Sequence, residues 1–238
     1  MWISSPTEAP VRTVSGLRTG PEGGAVPITV DVPYEHTLEL YVDGKLLHTI
    51  VCTPTYLPAL AIGRLCTDGL IAGMEQVKDW ALSPDGARLD VTLARSAAPK
   101  EAPPAGWAPT VTDGMIYLAQ EKLSAGHPLY KRTRGVHSCT ILHNGEISYV
   151  TEDLSRHNAL DKAVGCALLD GLPLWECLLF SSGRVPLDML QKGITAGLRV
   201  FVAKAIPTWQ SVQLAREKGI VLICDARNKS YIRFSPGE

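Results

Sequence analysis

The sequence predicts an α/β fold for the C-terminal half of the chain and a smaller α+β domain before it. Helical and strand-like patterns alternate regularly over residues 158–224, which is the order of a sheet covered by helices. Residues 97–111 are rich in proline, alanine and glycine, and this composition predicts a linker. The chain before the linker has several strand-like runs and one helical stripe, which is typical of an α+β domain.

The N-terminal part is expected to begin with a loose arm. Residues 1–24 are rich in proline, glycine, serine and threonine, so ordered structure is predicted to start after them. In the small domain, residues 25–96, Asp43 and Gly44 predict the two-residue turn of a β-hairpin. The expected strands cover residues 26–32, 38–42 and 46–52, the expected helix runs from Thr53-Pro54 to Asp68-Gly69, and short strands follow as far as Leu93.

The C-terminal domain, residues 112–238, is expected to begin with a helix and then a hairpin that turns at Asn144 and Gly145. Short apolar runs after the hairpin predict strands, and the amphipathic stretches between them predict helices. The expected helices cover residues 115–123, 158–169, 187–196 and 208–218, and the expected strands cover 135–142, 147–151, 176–180, 199–203 and 220–224.

Composition excludes several classes of function. The chain has 238 residues, of which 45% are hydrophobic, and its 23 basic and 24 acidic residues nearly cancel. A balanced charge gives no general attraction to nucleic acid or to an anionic membrane, so we expect neither as a partner. The sequence shows no targeting pattern and no apolar run as long as a membrane span, so a cytoplasmic location is expected.

The six cysteines do not form a metal or redox motif. They lie at positions 52, 66, 139, 166, 177 and 224, with no C-x-x-C pair and no spacing typical of zinc ligands. We therefore expect reduced thiols. Cys166, Cys177 and Cys224 lie in or beside apolar runs, where a free thiol behaves as a small hydrophobic group, and are predicted to be core residues.

Polar residues are concentrated at the junction between an apolar run and a helix, within residues 151–165. A helix N-terminus leaves N–H groups unpaired and carries partial positive charge, so Arg156 and His157 there predict an anion site, with phosphate as the natural ligand. Asp153 is placed to orient His157. The alternative is an ordinary surface helix start, in which Arg156 is solvated and Asp153 and Asp161 only favour the helix dipole.

Two further strand-to-helix junctions also follow the carboxyl ends of predicted strands. Ligands of such sheets bind at that edge, so both junctions are expected to lie near a ligand. At the first, Gly183 permits close approach of a ligand to the backbone, and Arg184 offers a planar donor pair for phosphate. The alternative is an ordinary tight turn. The residues proposed at these junctions are Ser182, Gly183 and Arg184 at the first and Pro207 and Thr208 at the second.

His137 and Cys139 are expected to share one face of a strand, since strand side chains alternate with a period of two. A neighbouring histidine lowers the pKa of a thiol and raises the thiolate fraction that nucleophilic sulfur chemistry requires. The alternative is a buried thiol beside a structural histidine.

Several motifs together resemble one known family. They are Glu152-Asp-Leu-Ser-Arg-His-Asn-Ala-Leu-Asp-Lys162, Ser182-Gly-Arg184, Lys192, Gly197, Pro207-Thr208, the hairpin Leu38–Leu47, the segment from Cys52-Thr-Pro54 to Gly69-Leu-Ile71, and Arg134-Gly-Val-His137. This set is similar to the FdhD family of formate dehydrogenase accessory sulfurtransferases, over roughly all of the chain except the first arm.

The resemblance implies a cytidine-deaminase-like α/β/α domain with a smaller N-terminal domain, usually as a homodimer. Such proteins bind the bis-guanine-dinucleotide cofactor of molybdenum or tungsten, for which GDP is a mimic. They take sulfur from a cysteine desulfurase and pass it to the metal before the cofactor enters formate dehydrogenase or a related molybdoenzyme. The residues expected to bind the cofactor are Asp153, Arg156, His157, Asn158, Lys162, Ser182, Gly183, Arg184, Pro207 and Thr208, and His137 and Cys139 are the expected catalytic pair.

The chain departs from the family pattern in three places. Residues 124–134, where many members carry a C-x-x-C sulfur relay, contain no cysteine. Ser155 replaces a glycine, and the C-terminal motif is shortened to residues 227–231.

The leading hypothesis for the function is a sulfur carrier. The alternative is a cofactor-binding chaperone that moves no sulfur. A zinc deaminase is not expected, because residues 156–159 and 182–185 offer one potential ligand where zinc needs three.

Overall fold

The computed structural model describes residues 8–94, 103–104 and 107–235. The strands are β1 (Val11–Thr19), β2 (Ala25–Pro33), β3 (His36–Val42), β4 (Lys45–Cys52), β5 (Val77–Leu82), β6 (Arg88–Leu93), β7 (His137–His143), β8 (Glu146–Asp153), β9 (Leu178–Ser181), β10 (Val200–Ala203), β11 (Val221–Arg227) and β12 (Ser230–Ser235). The helices are α1 (Leu57–Thr67), α2 (Asp113–Ser124), α3 (Pro128–Thr133), α4 (Arg156–Leu169), α5 (Leu187–Ala196) and α6 (Trp209–Glu217), with short 3-10 turns at Met74–Gln76 and Leu174–Glu176.

The first hairpin corrects one prediction. β1 pairs with β2 as an antiparallel ribbon over its full length, so residues 11–19 are a strand and not a loose arm. The proline and glycine content of this region lies mainly in the turn at residues 20–24, whereas β1 itself carries Val11, Val14 and Leu17. Of the arm, residues 1–7 lie outside the described residues.

A four-stranded sheet follows, in the order β4-β3-β6-β5. The predicted hairpin turn at Asp43 and Gly44 is confirmed, and both residues have positive φ angles, 48° and 79°. β3 pairs with β6 in parallel, and β5 returns antiparallel to β6. Helix α1 is buried on nearly all sides, and its Leu60 and Leu65 lie in the same apolar cluster as Leu38 and Leu40 of this sheet.

The six-stranded sheet of the C-terminal half has the order β12-β11-β10-β9-β7-β8. Strands β9, β10 and β11 are parallel, and the flanking strands run antiparallel. One face, which includes Phe180 and Val202, packs against Ile116 of α2, and the other, which includes Leu179, packs against α4. The predicted α/β class with helices on both faces is confirmed, and the cytidine-deaminase-like arrangement stays a prediction.

Helices α1 and α4 join the two halves of the molecule. A Cβ atom added at Gly63 would overlap the Asp161 carbonyl oxygen, and one added at Gly165 would overlap the Ala59 carbonyl oxygen. The two glycines therefore let the backbones touch. As a result, one apolar cluster runs from the four-stranded sheet to one face of the six-stranded sheet. The predicted domain division stays a prediction.

Most helices and strands lie within one or two residues of their predicted positions, but α3 and β12 were not predicted. α3 has only six residues, which is too short to show a periodic stripe. β12 follows a turn whose Asn228 and Lys229 both have φ 53°, without the glycine that marks most hairpins. Much of the predicted linker, residues 97–102 and 105–106, lies outside the described residues. No helix in the described part of the chain is long and apolar enough to cross a membrane.

Candidate functional site at the edge of the six-stranded sheet

Four chain segments meet at one edge of the six-stranded sheet. The carboxyl ends of β8, β9 and β10 lie there, together with the amino end of β7. The pairing places His137 opposite Asp153, Cys139 opposite Ser181, and Ser181 opposite Ala203. We call this region the polar edge, defined by His137 and residues 153–157, 181–184 and 204–208. The three predicted strand-to-helix junctions are therefore neighbours in space.

The first junction is shaped by a buried ion pair. Lys162 Nζ lies 2.6 Å from Asp153 Oδ2, and both side chains are 0% exposed. Asp153 also accepts hydrogen bonds from the Thr53 N–H at 3.0 Å and from Asn158 Nδ2 at 2.9 Å. Lys162 donates to the Thr53 hydroxyl at 2.7 Å. These contacts hold the segment before α1 against the start of α4.

Burial corrects the role predicted for part of this junction. Asp153 and Lys162 have no exposed side-chain surface, so neither can contact a ligand in this arrangement. Asn158 is 6% exposed, and its amide donates to Asp153 and to the Val51 carbonyl oxygen. The expected orientation of His157 by Asp153 is also wrong, because His157 Nε2 lies 3.4 Å from Asp188 Oδ2.

Arg156 is the cation at the centre of the polar edge. It lies in the first turn of α4, whose cap is Ser155, with the Ser155 Oγ accepting from the His157 N–H at 3.2 Å. Arg156 Nε is buried and has no hydrogen-bond partner among the described residues. An unpaired guanidinium nitrogen next to a helix N-terminus is an arrangement suited to an anion.

The turn after β9 lies against Arg156. A Cβ atom built on Gly183 would be 3.5 Å from both Arg156 Cβ and His137 Nδ1, so both side chains border the space beside the Gly183 backbone. Ser182 Oγ accepts from the Ser138 N–H at 2.9 Å, which fixes the turn to β7. The Ser182 hydroxyl hydrogen can still be donated, because that bond uses only the oxygen. Arg184 is exposed at the rim.

The third junction supplies a capped helix start. Thr208 Oγ1 accepts from the Ser211 N–H at 3.3 Å and lies 2.8 Å from the Ser211 hydroxyl. This threonine therefore has a structural task as the N-cap of α6. Pro207 and Thr208 are half-buried, and a ligand role for them stays a prediction.

Two histidines of the polar edge are held as neutral rings. Burial lowers the pKa of His137 from its ordinary value, and the charge of Arg156 lowers it further. Burial also lowers the pKa of His157, partly offset by Asp188. Both rings are therefore expected to be uncharged at neutral pH, when each can donate one hydrogen bond and accept another.

His137 does not lower the pKa of the Cys139 thiol in this arrangement, and a catalytic role for the pair stays a prediction. Cys139 is 1% exposed, and burial raises its pKa to about 12, with a hydrogen bond from Ser181 acting in the opposite direction. Strand alternation placed the two residues on one face correctly, but it did not reveal how deep that face lies. All six cysteines of the chain are buried and unpaired by disulfides, which confirms the core positions predicted for Cys166, Cys177 and Cys224. Burial raises the pKa to about 12 for Cys52, Cys166, Cys177 and Cys224 as well.

A cavity of about 310 Å³ opens beside the polar edge and next to α3. We call it the α3 cavity. Sequence reasoning included His137 and Ser182 but missed its other polar side chains, since α3 itself was not predicted. A positive φ of 52° at Arg134, unusual for arginine, ends α3 and turns the chain into β7. The α3 cavity is lined by Leu123, His127, Tyr130, Arg134, Gly135, Val136, His137, Ser138, Ser182 and Lys204.

Among the described residues, no group of three or more histidine, cysteine, aspartate or glutamate side chains is arranged to hold a metal ion. The prediction that the protein contains no stoichiometric zinc stays a prediction.

Comparison with known proteins gives the family. A model of the FdhD/NarQ family matches residues 33–108 and 94–238. The chain belongs to the FdhD/NarQ family. It is 28% identical to the sulfur carrier protein FdhD of Shouchella clausii over 86% of this chain and 88% of that protein. It is 25% identical to the sulfur carrier protein FdhD of Bacillus subtilis over 83% and 85% of the two chains.

A solved structure agrees with the fold of this FdhD/NarQ chain. It is the crystal structure of a protein assigned as a formate dehydrogenase accessory protein from Desulfotalea psychrophila. The two structures superpose with a TM-score of 0.82 over 97% of this chain and 99% of the other, at 22% sequence identity. The likeness shows a shared fold.

Proposed function

We propose that this FdhD/NarQ member acts in the maturation of formate dehydrogenase by binding the bis-guanine-dinucleotide cofactor of molybdenum or tungsten at the polar edge. One observation carries the proposal: the buried, unpartnered Nε of Arg156 lies beside the Gly183 turn at the N-terminus of α4. A phosphate oxygen is the acceptor that such a group lacks. The printed name shared by relatives, sulfur carrier protein FdhD, supports the wider role.

Different residues of the polar edge supply different contacts to a diphosphate. Arg156 supplies charge and a planar set of donors, and the exposed Arg184 offers a second set at the rim. Gly183 is buried, and because it has no side chain, Arg156 and His137 can lie close to the turn. The neighbouring α3 cavity, at about 310 Å³, is at the small end for ligand pockets and can take only part of such a large cofactor.

The proposal includes no sulfur relay through the protein itself. All six cysteines are buried, whereas a persulfide-carrying thiol must meet both a donor and an acceptor. The protein therefore holds the cofactor while a cysteine desulfurase delivers sulfur to it, and then hands it to formate dehydrogenase or a related molybdoenzyme. A homodimer is the proposed assembly.

Nucleotide binding tests this proposal. GDP should raise the melting temperature of the protein, because a ligand that binds only the native state stabilises it. Replacing Arg156 or Arg184 with alanine should weaken GDP binding by about 1.5–3 kcal/mol, the usual contribution of a charge-assisted hydrogen bond. Calorimetric titration of both variants, with Arg88→Ala on the four-stranded sheet as the control, measures this. Unchanged affinity in both variants would sink the assignment.

A second candidate function is sulfur carriage by Cys139. The name of the relatives favours it, and Cys139 pairs with Ser181, one residue before the Ser182 turn. In this reaction the Cys139 thiolate attacks the terminal sulfur of the donor's persulfide. The Cys139 persulfide forms and the donor cysteine leaves as its thiolate. The step requires the strand to open locally, because Cys139 is buried and a donor protein cannot reach its thiol.

Mass spectrometry separates the two candidates. The protein is incubated with a cysteine desulfurase and cysteine, and each cysteine is examined for added sulfur. If sulfur is carried, Cys139→Ala should lose both persulfide loading and activation of formate dehydrogenase, whereas Cys166→Ala and Cys177→Ala should affect only stability. Full activation by Cys139→Ala with GDP binding intact would favour the relay-free function, or a relay through Cys52 or Cys66.

A further inference from the structure

One residue that lines the α3 cavity, His127, has a buried polar atom that the fold does not satisfy. His127 is 2% exposed, and its Nε2 has no hydrogen-bond partner among the described residues. Leaving a buried imidazole nitrogen unpaired costs roughly 1–3 kcal/mol in general, so such groups call for a partner. His127 is the N-cap residue of α3 but makes no side-chain cap. The residue is part of the lining of the α3 cavity.

The other polar groups around the α3 cavity are all suited to an anion. Arg134 and Lys204 are exposed cations with no ion pair in the described part of the chain. Ser182 has a hydroxyl hydrogen free to donate, since its oxygen accepts from Ser138. Burial and the nearby Lys122 and Lys131 lower the pKa of His127, so the ring is neutral and can donate through one nitrogen.

No carboxylate occurs among the described residues that line the α3 cavity. By contrast, a second cavity on the other side of α3, which His127 also lines, contains Glu152. Glu152 is occupied there, because its carboxylate accepts from the Leu129 and Tyr130 N–H groups. The α3 cavity therefore combines two cations and several neutral donors without a competing negative charge.

We propose that the α3 cavity, which neither Arg156 nor Gly183 lines, is a phosphate-binding subsite in which His127, Arg134 and Lys204 hold a phosphate group. A phosphate has several acceptor oxygens and up to two negative charges, which match the donors and the two cations. The inference rests on the proposed function where that phosphate belongs to a guanine nucleotide. A free phosphate or pyrophosphate ion offers the same chemistry.

Titration calorimetry with GDP, pyrophosphate and inorganic phosphate on the full chain tests the subsite. We expect His127→Phe, Arg134→Ala and Lys204→Ala each to weaken binding of pyrophosphate or GDP about tenfold, the loss of one good hydrogen bond or contact. His127→Gln, which keeps a donor, should lose less than His127→Phe. Lys45→Ala is the control, because Lys45 is an exposed lysine on β4 of the four-stranded sheet and does not line the cavity.

The outcomes separate the subsite from the proposed function. If GDP binds but the three variants bind it as well as the native chain, the subsite is refuted and the proposed function stands. If pyrophosphate or phosphate binds, is lost in the variants, and GDP does not bind, the subsite stands and nucleotide binding falls. Binding of none of the three probes to the native chain overturns both. If His127→Phe does not fold, Arg134→Ala and Lys204→Ala decide the question.

Discussion

At the scale of single residues, the pair Asp153–Lys162 holds the candidate site in shape without touching a ligand. The pair is fully buried and ties Thr53, in the segment before α1, to the junction of β8 and α4. Removing one partner of a buried ion pair leaves an uncompensated charge, which costs more than losing both partners. Arg156 and the Gly183 turn depend on this arrangement, because α4 begins three residues after Asp153.

Lys162→Met is therefore expected to lower the free energy of unfolding by about 3–5 kcal/mol. The double variant Asp153→Leu, Lys162→Met should recover part of that loss, since neither charge is then buried alone. Urea denaturation of the native chain, the two single variants and the double variant measures the effect. Arg88→Ala, at the exposed Arg88–Asp90 pair, should change little. A stable Lys162→Met protein would contradict the structural role.

The lowered pKa values of three histidines lead to a prediction of how the free energy of unfolding depends on pH. Burial lowers the pKa of His127, His137 and His157 in the folded protein, whereas the unfolded value is about 6.5. Below that pH the unfolded chain binds more protons than the folded one, so these groups lower the free energy of unfolding as the pH falls toward their folded pKa values. The contribution of these histidines to the free energy of unfolding is fully present above about pH 6.5.

Denaturation at pH 7.5 and pH 5.5 tests this expectation. Burial raises the pKa of Asp161, which acts in the opposite sense, so the comparison needs a variant. His127→Phe should lose less stability between the two pH values than the native chain does, because one of the three histidines is gone. An equal or larger loss in the variant would show that His127 is not held neutral.

At the scale of elements, the crossing of α1 and α4 sets how the part of the chain with the four-stranded sheet packs against the part with the six-stranded sheet. Gly63 and Gly165 bring the backbones into direct contact, and a side chain at either position would overlap the opposite helix. Glycine is a poor helix residue, so its presence in both helices reflects the packing that it permits. The Asp153–Lys162 pair lies beside this crossing.

Gly63→Ala and Gly165→Ala should each lower the free energy of unfolding by at least about 1–3 kcal/mol, because the helices must separate to admit the methyl group. Gly16→Ala in β1 is the matched control, since a Cβ there would meet nothing within 4 Å. Thermal unfolding followed by circular dichroism measures all three. If the helix variants and the control melted alike, the close crossing would be wrong.

Helices and strands with a long periodic pattern could be predicted from the sequence. The burial of individual side chains and their long-range contacts could not. The range of α5 follows from its amphipathic stripe, and the predicted turns at Asp43-Gly44 and Asn144-Gly145 occur in the structure. By contrast, Lys162 pairs with Asp153 but also donates to Thr53, 109 residues away, and local pattern could not show that this distant segment covers the lysine. The same holds for Cys139, whose face was predicted but whose burial depends on the packing of α4.

At the scale of the whole molecule, the two sheets share one apolar cluster. Leu40 of the four-stranded sheet and Leu179 of the six-stranded sheet belong to it, joined through α1 and α4. A domain with a separate core can unfold alone, but a shared core makes the parts depend on each other. The polar edge lies next to this shared region, so the integrity of the site depends on both sheets.

Calorimetric unfolding should accordingly give one transition rather than two. The ratio of calorimetric to van't Hoff enthalpy is expected to be near one, the mark of a cooperative unit. Hydrogen exchange provides an independent check, since amides of β3 and β9 should then exchange with similar protection. Two resolved transitions, with β3 amides exchanging first, would show that the halves unfold independently.

The long-range tie between Thr53 and Asp153 has a consequence for biosynthesis. The two residues are 100 positions apart. At a ribosomal speed of about 5–20 residues per second, roughly 5–20 s pass between their emergence. During that interval the apolar face of α1 has no α4 to cover it, and the nascent chain presents a surface that chaperones bind. A codon change that slows translation between these positions should increase aggregation of the newly made protein.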